Sequence, residues 1–152
     1  MQIHNTGYEI ILTGFIAAAT AQILKFFIFT IKNKKVNFKC LTTTGGMPSA
    51  HSAAVVSLAT AVGLITSFES VDFAIATGLA LVVMYDAAGV RRAAGKMAAT
   101  LNKVTEELYR HNTFAAGEKL KELLGHTPVE VLGGAILGII LAYTMHIYIF
   151  SL

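Results

Sequence analysis

"EIILTGFIAAATAQILKFFIFTI", residues 9–31, runs for 23 residues with Lys25 as its one interior charge. At 1.5 Å per residue it makes a helix of about 34 Å, enough to cross a hydrocarbon core of about 30 Å. Three more apolar windows follow, at residues 50–65, 73–90 and 129–150, the first of them short for a span. The 152-residue chain is 55% hydrophobic and 14% charged, against roughly 25% charged in soluble domains. These features predict one domain over residues 1–152: an all-α integral membrane bundle with about four transmembrane spans.

The start "MQIHNTGYE" is polar rather than basic and has no convincing small-residue cleavage site, so the first span is expected to stay in the mature protein. Cys40 is a single cysteine and leaves the redox compartment open. Nothing in the charge pattern points to a nucleic-acid partner.

The connecting segments differ in charge. Residues 32–47 carry Lys32, Lys34, Lys35 and Lys39, and residues 91–127 are again basic, whereas "TSFESVD" carries only Glu69 and Asp72. The positive-inside rule then puts the first and third loops in the cytoplasm and both termini outside, in a multi-pass cell-membrane protein. Setting aside cations with a chemical role, Lys34, Lys35, Lys39, Lys103, Lys119 and Lys121 still favour that orientation.

Within the third loop, "AAGKMAATLNKVTEELYR" spaces Met97, Leu101, Val104 and Leu108 on one helical face, and "FAAGEKLKELLG" repeats the pattern. Two amphipathic interfacial helices are expected, broken near His111 to Thr113.

Four spans bring four ends to one membrane face: the end of span one, the start of span two, the end of span three and the start of span four. Lys25 and Lys32 are at the first, Ser49 and His51 at the second, Asp86, Arg91 and Arg92 at the third, His126, Thr127 and Glu130 at the fourth. Cations with two helix N-termini favour an anion such as phosphate. Gly45 and Gly46 allow close backbone approach, and Pro48 suits a first helical turn.

Two histidines beside a phosphoryl group can divide the work of nucleophile and general acid. Glu130, four residues after His126 and on the same helical face, can fix the tautomer of that ring. His126 is therefore the nucleophile candidate and His51 the acid. Asp86 lies in an apolar window where an unpaired acid is costly, so it is expected to pair with Arg91, Arg92 or Lys25 and brace the site.

"MPSAHS" resembles the Pro-Ser-Gly-His motif of the type 2 phosphatidic acid phosphatase superfamily, which includes vanadium haloperoxidases and bacterial acid phosphatases. "GHTPVEV" resembles its last motif, a histidine with an acid four residues later. With "VMYDAAGVRRAAGK", the whole chain is similar to a small divergent membrane branch of that superfamily. The first superfamily motif, a lysine, six residues and then Arg-Pro, is matched in spacing by Lys25 and Lys32. The resemblance implies phosphate binding by Lys25, Lys32, Ser49 and one of Arg91 or Arg92, acid catalysis by His51, nucleophilic attack by His126 and orientation by Glu130. The substrate it implies is a lipid phosphate or diphosphate, hydrolysed without metal or cofactor.

The chain departs from the pattern at Lys32 for arginine, Asn33 for proline, Ala50 for glycine and Glu130 for aspartate. The arginines precede His126 by 34 residues or more instead of six.

Simpler readings stand beside these. Thr127 and Glu130 spell a T-x-x-E capping box with Pro128 at the first helical position. Ser49 suits a helix start, Lys25 can snorkel, and Lys32, Arg91 and Arg92 fit as topology markers. A non-catalytic anionic-lipid binder or transporter would need the cations but not the histidine pair. A structural membrane subunit would use "GGAILG" for close helix approach, and a homodimer suits a bundle this small. A zinc site from His51, His126 and Glu130 lacks a short Cys/His spacing. His4, His111 and His146 carry no expected role.

Overall fold

The computed structural model describes residues 4–34, 36, 45–109 and 125–150. Among these residues every regular element is a helix. In chain order they are α1 (Gly7–Asn33), α2 (Ala50–Thr66), α3 (Val71–Ala88), α4 (Val90–Tyr109) and α5 (Pro128–Thr144), the last continued by a π-helical turn, Met145–Ile149. Three helical runs are long and apolar enough to cross a membrane: α1, the α3–α4 run and α5 with its π-helical turn. The fourth apolar helix, α2, is shorter at 17 residues. The chain is a membrane-embedded helical bundle.

The short helix is the central one. α2 packs on α1, α3 and α5, while α1 also meets α5. Its interior face is built from Ser52, Ala53, Ser57, Ala59, Thr60, Ala61 and Gly63, all buried. Small residues dominate because apolar side chains gain nothing by leaving lipid for protein. Helices in a bilayer cohere by close packing instead. Ala17 and Ala21 of α1 meet Ala53 at the centre, flanked by Leu137 and Leu141. On α5, a Cβ added to Gly138 would stand 2.5 Å from the Ala53 carbonyl oxygen, and one on Gly134 would overlap the Ser49 carbonyl. Ser57 and Thr60 donate to the carbonyls of Ala54 and Val56, so their hydroxyls are satisfied within α2.

The large apolar side chains point outward. Phe15, Ile31, Ile75, Leu79, Val82 and Tyr85 are all exposed, as a bundle solvated by lipid requires. Ser70 caps α3 by accepting from Phe73 N–H at 3.1 Å. At its other end α3 reaches Gly89, and α4 resumes one residue later. α4 leaves Met97, Leu101 and Val104 exposed along one face, as expected of an interfacial helix. The second amphipathic segment and its break at His111 to Thr113 lie outside the described residues, as does Cys40.

One local expectation changes. Pro48 does not open the helix: Ser49 is the N-cap of α2, and Pro48 precedes it after a cis Met47–Pro48 bond. Ser49 takes the cap because its Oγ can accept from the orphan amide of Ser52, which no proline could do.

Candidate functional site

Four helix ends converge where the chain enters α2. The loop 45–48 turns on Gly45 and Gly46, with φ of 102° and 91°. That region is open to glycine and strained for other residues by about 1–3 kcal/mol. Gly46 also makes room for Lys25: a Cβ there would stand 3.1 Å from Lys25 Cε. Met47 then lies over α5, its Cε 2.9 Å from where a Cβ on Gly133 would be.

Glu130 ties the loop to the last span. Its Oε2 accepts from Thr127 N–H at 3.1 Å and from Gly46 N–H at 3.2 Å, and lies 3.2 Å from His126 Nδ1. Thr127 returns the capping bond, its Oγ1 accepting from Glu130 N–H at 3.3 Å, so the box is complete with Pro128 in the first turn. The capping reading and the orienting reading of Glu130 are thus geometrically compatible. One carboxylate oxygen does both.

Backbone bonds lock the rest. Ser49 N–H donates to the Glu130 carbonyl at 3.0 Å, joining the starts of α2 and α5. His126 N–H donates to the Ala87 carbonyl at 3.1 Å, joining α5 to the last turn of α3. Asp86, one residue earlier, is half-buried there.

The histidines meet edge to face, ring centroids 6.2 Å apart and planes at 66°. His126 is 5% exposed, while His51 in the first turn of α2 is open to the outside. A carboxylate opposite Nδ1 favours the imidazole tautomer with its proton there, which leaves a lone pair on Nε2. Ser49 is fully buried; its Oγ accepts from Ser52 N–H at 3.4 Å and from the Ser52 hydroxyl at 3.1 Å. Its own O–H remains available to donate.

The two lysines of the first motif part company. Lys25 is 6% exposed against Gly46, whereas Lys32, two turns further on, is exposed. Arg92 is half-buried near the start of α4; the backbone of Arg91 is helical beside it, and its side chain lies outside the described residues. His51, His126, Glu130, Ser49, Gly46 and Lys25 are therefore gathered in one place, and Lys32 stands off. The part played by the Gly46 amide went unread in the sequence, although the "GG" before Met47 marked the loop.

Because Gly46 serves turn, carboxylate and lysine together, Gly46→Ala is expected to lower stability by about 1–3 kcal/mol. The same change should displace the Lys25 stem and loosen the loop. Thermal unfolding of the detergent-solubilised protein, compared with Gly78→Ala on α3, where nothing lies within 4 Å, checks it.

Comparison with known proteins gives a consistent picture. The model of the Divergent PAP2 family matches residues 6–141. The uncharacterized membrane protein YuiD of Bacillus subtilis (strain 168) is 39% identical over 145 residues, covering 89% of this chain and 92% of its own. No solved structure matches.

Proposed function

This chain belongs to the Divergent PAP2 family, and on that premise we propose that it is a metal-independent membrane phosphatase. It releases phosphate from a lipid phosphate or diphosphate through a phosphohistidine at His126. The observation that carries the reading is the Glu130 carboxylate 3.2 Å from His126 Nδ1 with the His51 ring stacked edge to face beside it.

In the first step the lone pair on His126 Nε2 attacks phosphorus and the P–O bond to the lipid breaks. His51, as imidazolium, gives its proton to the departing alkoxide or phosphate. Glu130 stabilises the positive charge that develops on the His126 ring, as a carboxylate beside Nδ1 does for a catalytic imidazole. In the second step neutral His51 takes a proton from water, whose oxygen attacks phosphorus. The P–N bond breaks, its electron pair returns to Nε2, and phosphate leaves.

Lys25, Ser49, Lys32 and one of Arg91 or Arg92 hold the phosphoryl oxygens in this scheme. A lysine in the first motif provides a point charge rather than a bidentate fork. Asp86 braces the cations. The lipid tail stays between helices while its head group meets the basic face, which the lysine distribution assigns to the cytoplasm. A homodimer suits a bundle this small.

The test is phosphate release by the purified protein from a panel of lipid phosphates and diphosphates, with and without chelator. Chelator-resistant release supports the proposal. Tight lipid-phosphate binding with no release from any substrate would favour a non-catalytic anionic-lipid binder or transporter, a reading supported by the structural duty Glu130 already performs in its capping box.

A further inference from the structure

At the opposite end of the bundle three side chains meet that the proposed reaction does not use. Glu9, in the first turn of α1, is fully buried. His146 Nδ1 lies 2.6 Å from its Oε1 and His4 Nδ1 lies 3.5 Å from its Oε2. The two imidazole rings are 5.0 Å apart and tilted by 34°.

Two backbone irregularities bring them together. Asn5, at φ 57°, turns the chain back over the start of α1, and its N–H donates to Glu9 Oε2 at 2.7 Å. His146, 137 residues from Glu9, sits in the π-helical turn Met145–Ile149. A π-helical turn rotates the residues beyond it relative to an α-helix, and such turns recur at functional sites.

The bonding is incomplete. His146 makes a short hydrogen bond to the carboxylate, but His4 Nδ1 is shielded from solvent and makes none among the described residues. A buried nitrogen held 3.5 Å from the carboxylate without a hydrogen bond is poorly satisfied, and a buried carboxylate needs a positive charge close by. One cation among the three groups would satisfy both needs.

The ligand set selects which cation. Two imidazoles and one carboxylate suit a borderline transition metal, whereas magnesium and calcium take oxygen ligands. One donor atom from each residue lies within 4.8 Å of the other two. Tetrahedral zinc, with bonds of about 2.0–2.1 Å, sets its donors about 3.3 Å apart, so the His146–Glu9 pair must open by about 0.7 Å and the widest pair must close. Side-chain rotation covers movements of that size.

We propose that His4, Glu9 and His146 form a Zn²⁺ site at the end of the bundle opposite His126. The metal clasps the segment before α1 to the end of the last span and leaves a fourth position for water. This site is independent of the phosphatase reading and stands or falls separately.

The experiment is metal uptake by the full-length, detergent-solubilised protein after chelator treatment and dialysis. Zn²⁺ is measured by competition with a chromophoric chelator, and Co²⁺ by its visible absorption. One Zn²⁺ per chain is expected, with intense Co²⁺ bands of a four-coordinate site and a higher unfolding temperature in zinc.

His4→Ala and His146→Ala should each weaken binding by more than about tenfold, since even residues that only orient a ligand contribute about 10–100-fold. His51→Ala and His126→Ala should bind as wild type does. Wild-type protein that takes up no Zn²⁺ at micromolar free metal overturns the proposal without reference to any variant. Binding that survives in the His4→Ala/His146→Ala double variant, or is lost in His126→Ala, overturns it as well.

Discussion

Phosphate release by His126→Ala is expected to fall by at least about 10⁴-fold, because removing a nucleophile eliminates the covalent path and leaves only binding and electrostatics. His51→Ala should fall by about 10²–10⁴-fold, the usual range for a lost general acid. Glu130→Gln separates two duties of one side chain. Its amide oxygen still accepts from Thr127 N–H, so unfolding should shift by no more than about 1 kcal/mol. It cannot stabilise an imidazolium, so kcat should drop by about 10²–10⁴-fold with KM little changed. Steady-state release kinetics and thermal unfolding on the same preparations check this. If Glu130→Gln lost stability but kept kcat, Glu130 would be a capping residue alone.

The second large effect is structural. Gly134→Ala pushes a methyl group into the Ser49 carbonyl, and Gly138→Ala pushes one into Ala53. Both contacts are backbone, which cannot rotate aside as a side chain can. Each substitution should lower stability by about 1–3 kcal/mol. The Gly134 change should also weaken phosphate release, since parting α5 from α2 breaks the bond between Ser49 N–H and the Glu130 carbonyl. Gly78→Ala is the control, with no neighbour to meet and a slight gain in helix propensity. Unfolding of the three variants in detergent distinguishes close packing from a general intolerance of alanine.

Much of the architecture was legible in residue order. Apolar windows locate helices well because a bilayer leaves the backbone few alternatives. "TPVE" announced its own capping box, and of the polar residues at the span ends Lys25, Ser49, His51, His126 and Glu130 do meet. The inequality of Lys25 and Lys32 was not legible, although they are two turns apart on nearly one face. Lys25 is buried with Gly46 against its stem, and that contact depends on a loop conformation rather than on helical period. The sharing of Glu130 Oε2 among three donors likewise depends on where Gly46 comes to rest. Least visible was the His4, Glu9 and His146 group: Glu9 and His146 are 137 residues apart, and a π-helical turn leaves no periodic mark in the sequence.

The brevity of α2 bears on how a substrate of the proposed reaction would approach. Its 17 residues span about 26 Å, less than a hydrocarbon core of about 30 Å, while its neighbour α1 with 27 residues spans about 40 Å. α1 is thus longer than α2 by ten residues, about 15 Å of helix, and the starts of α2 and α5 that carry His51 and Glu130 meet beside it. On the proposed function, a phosphate ester carried in the leaflet would reach that meeting point by sideways diffusion, whereas a water-soluble ester would have to leave water to do so.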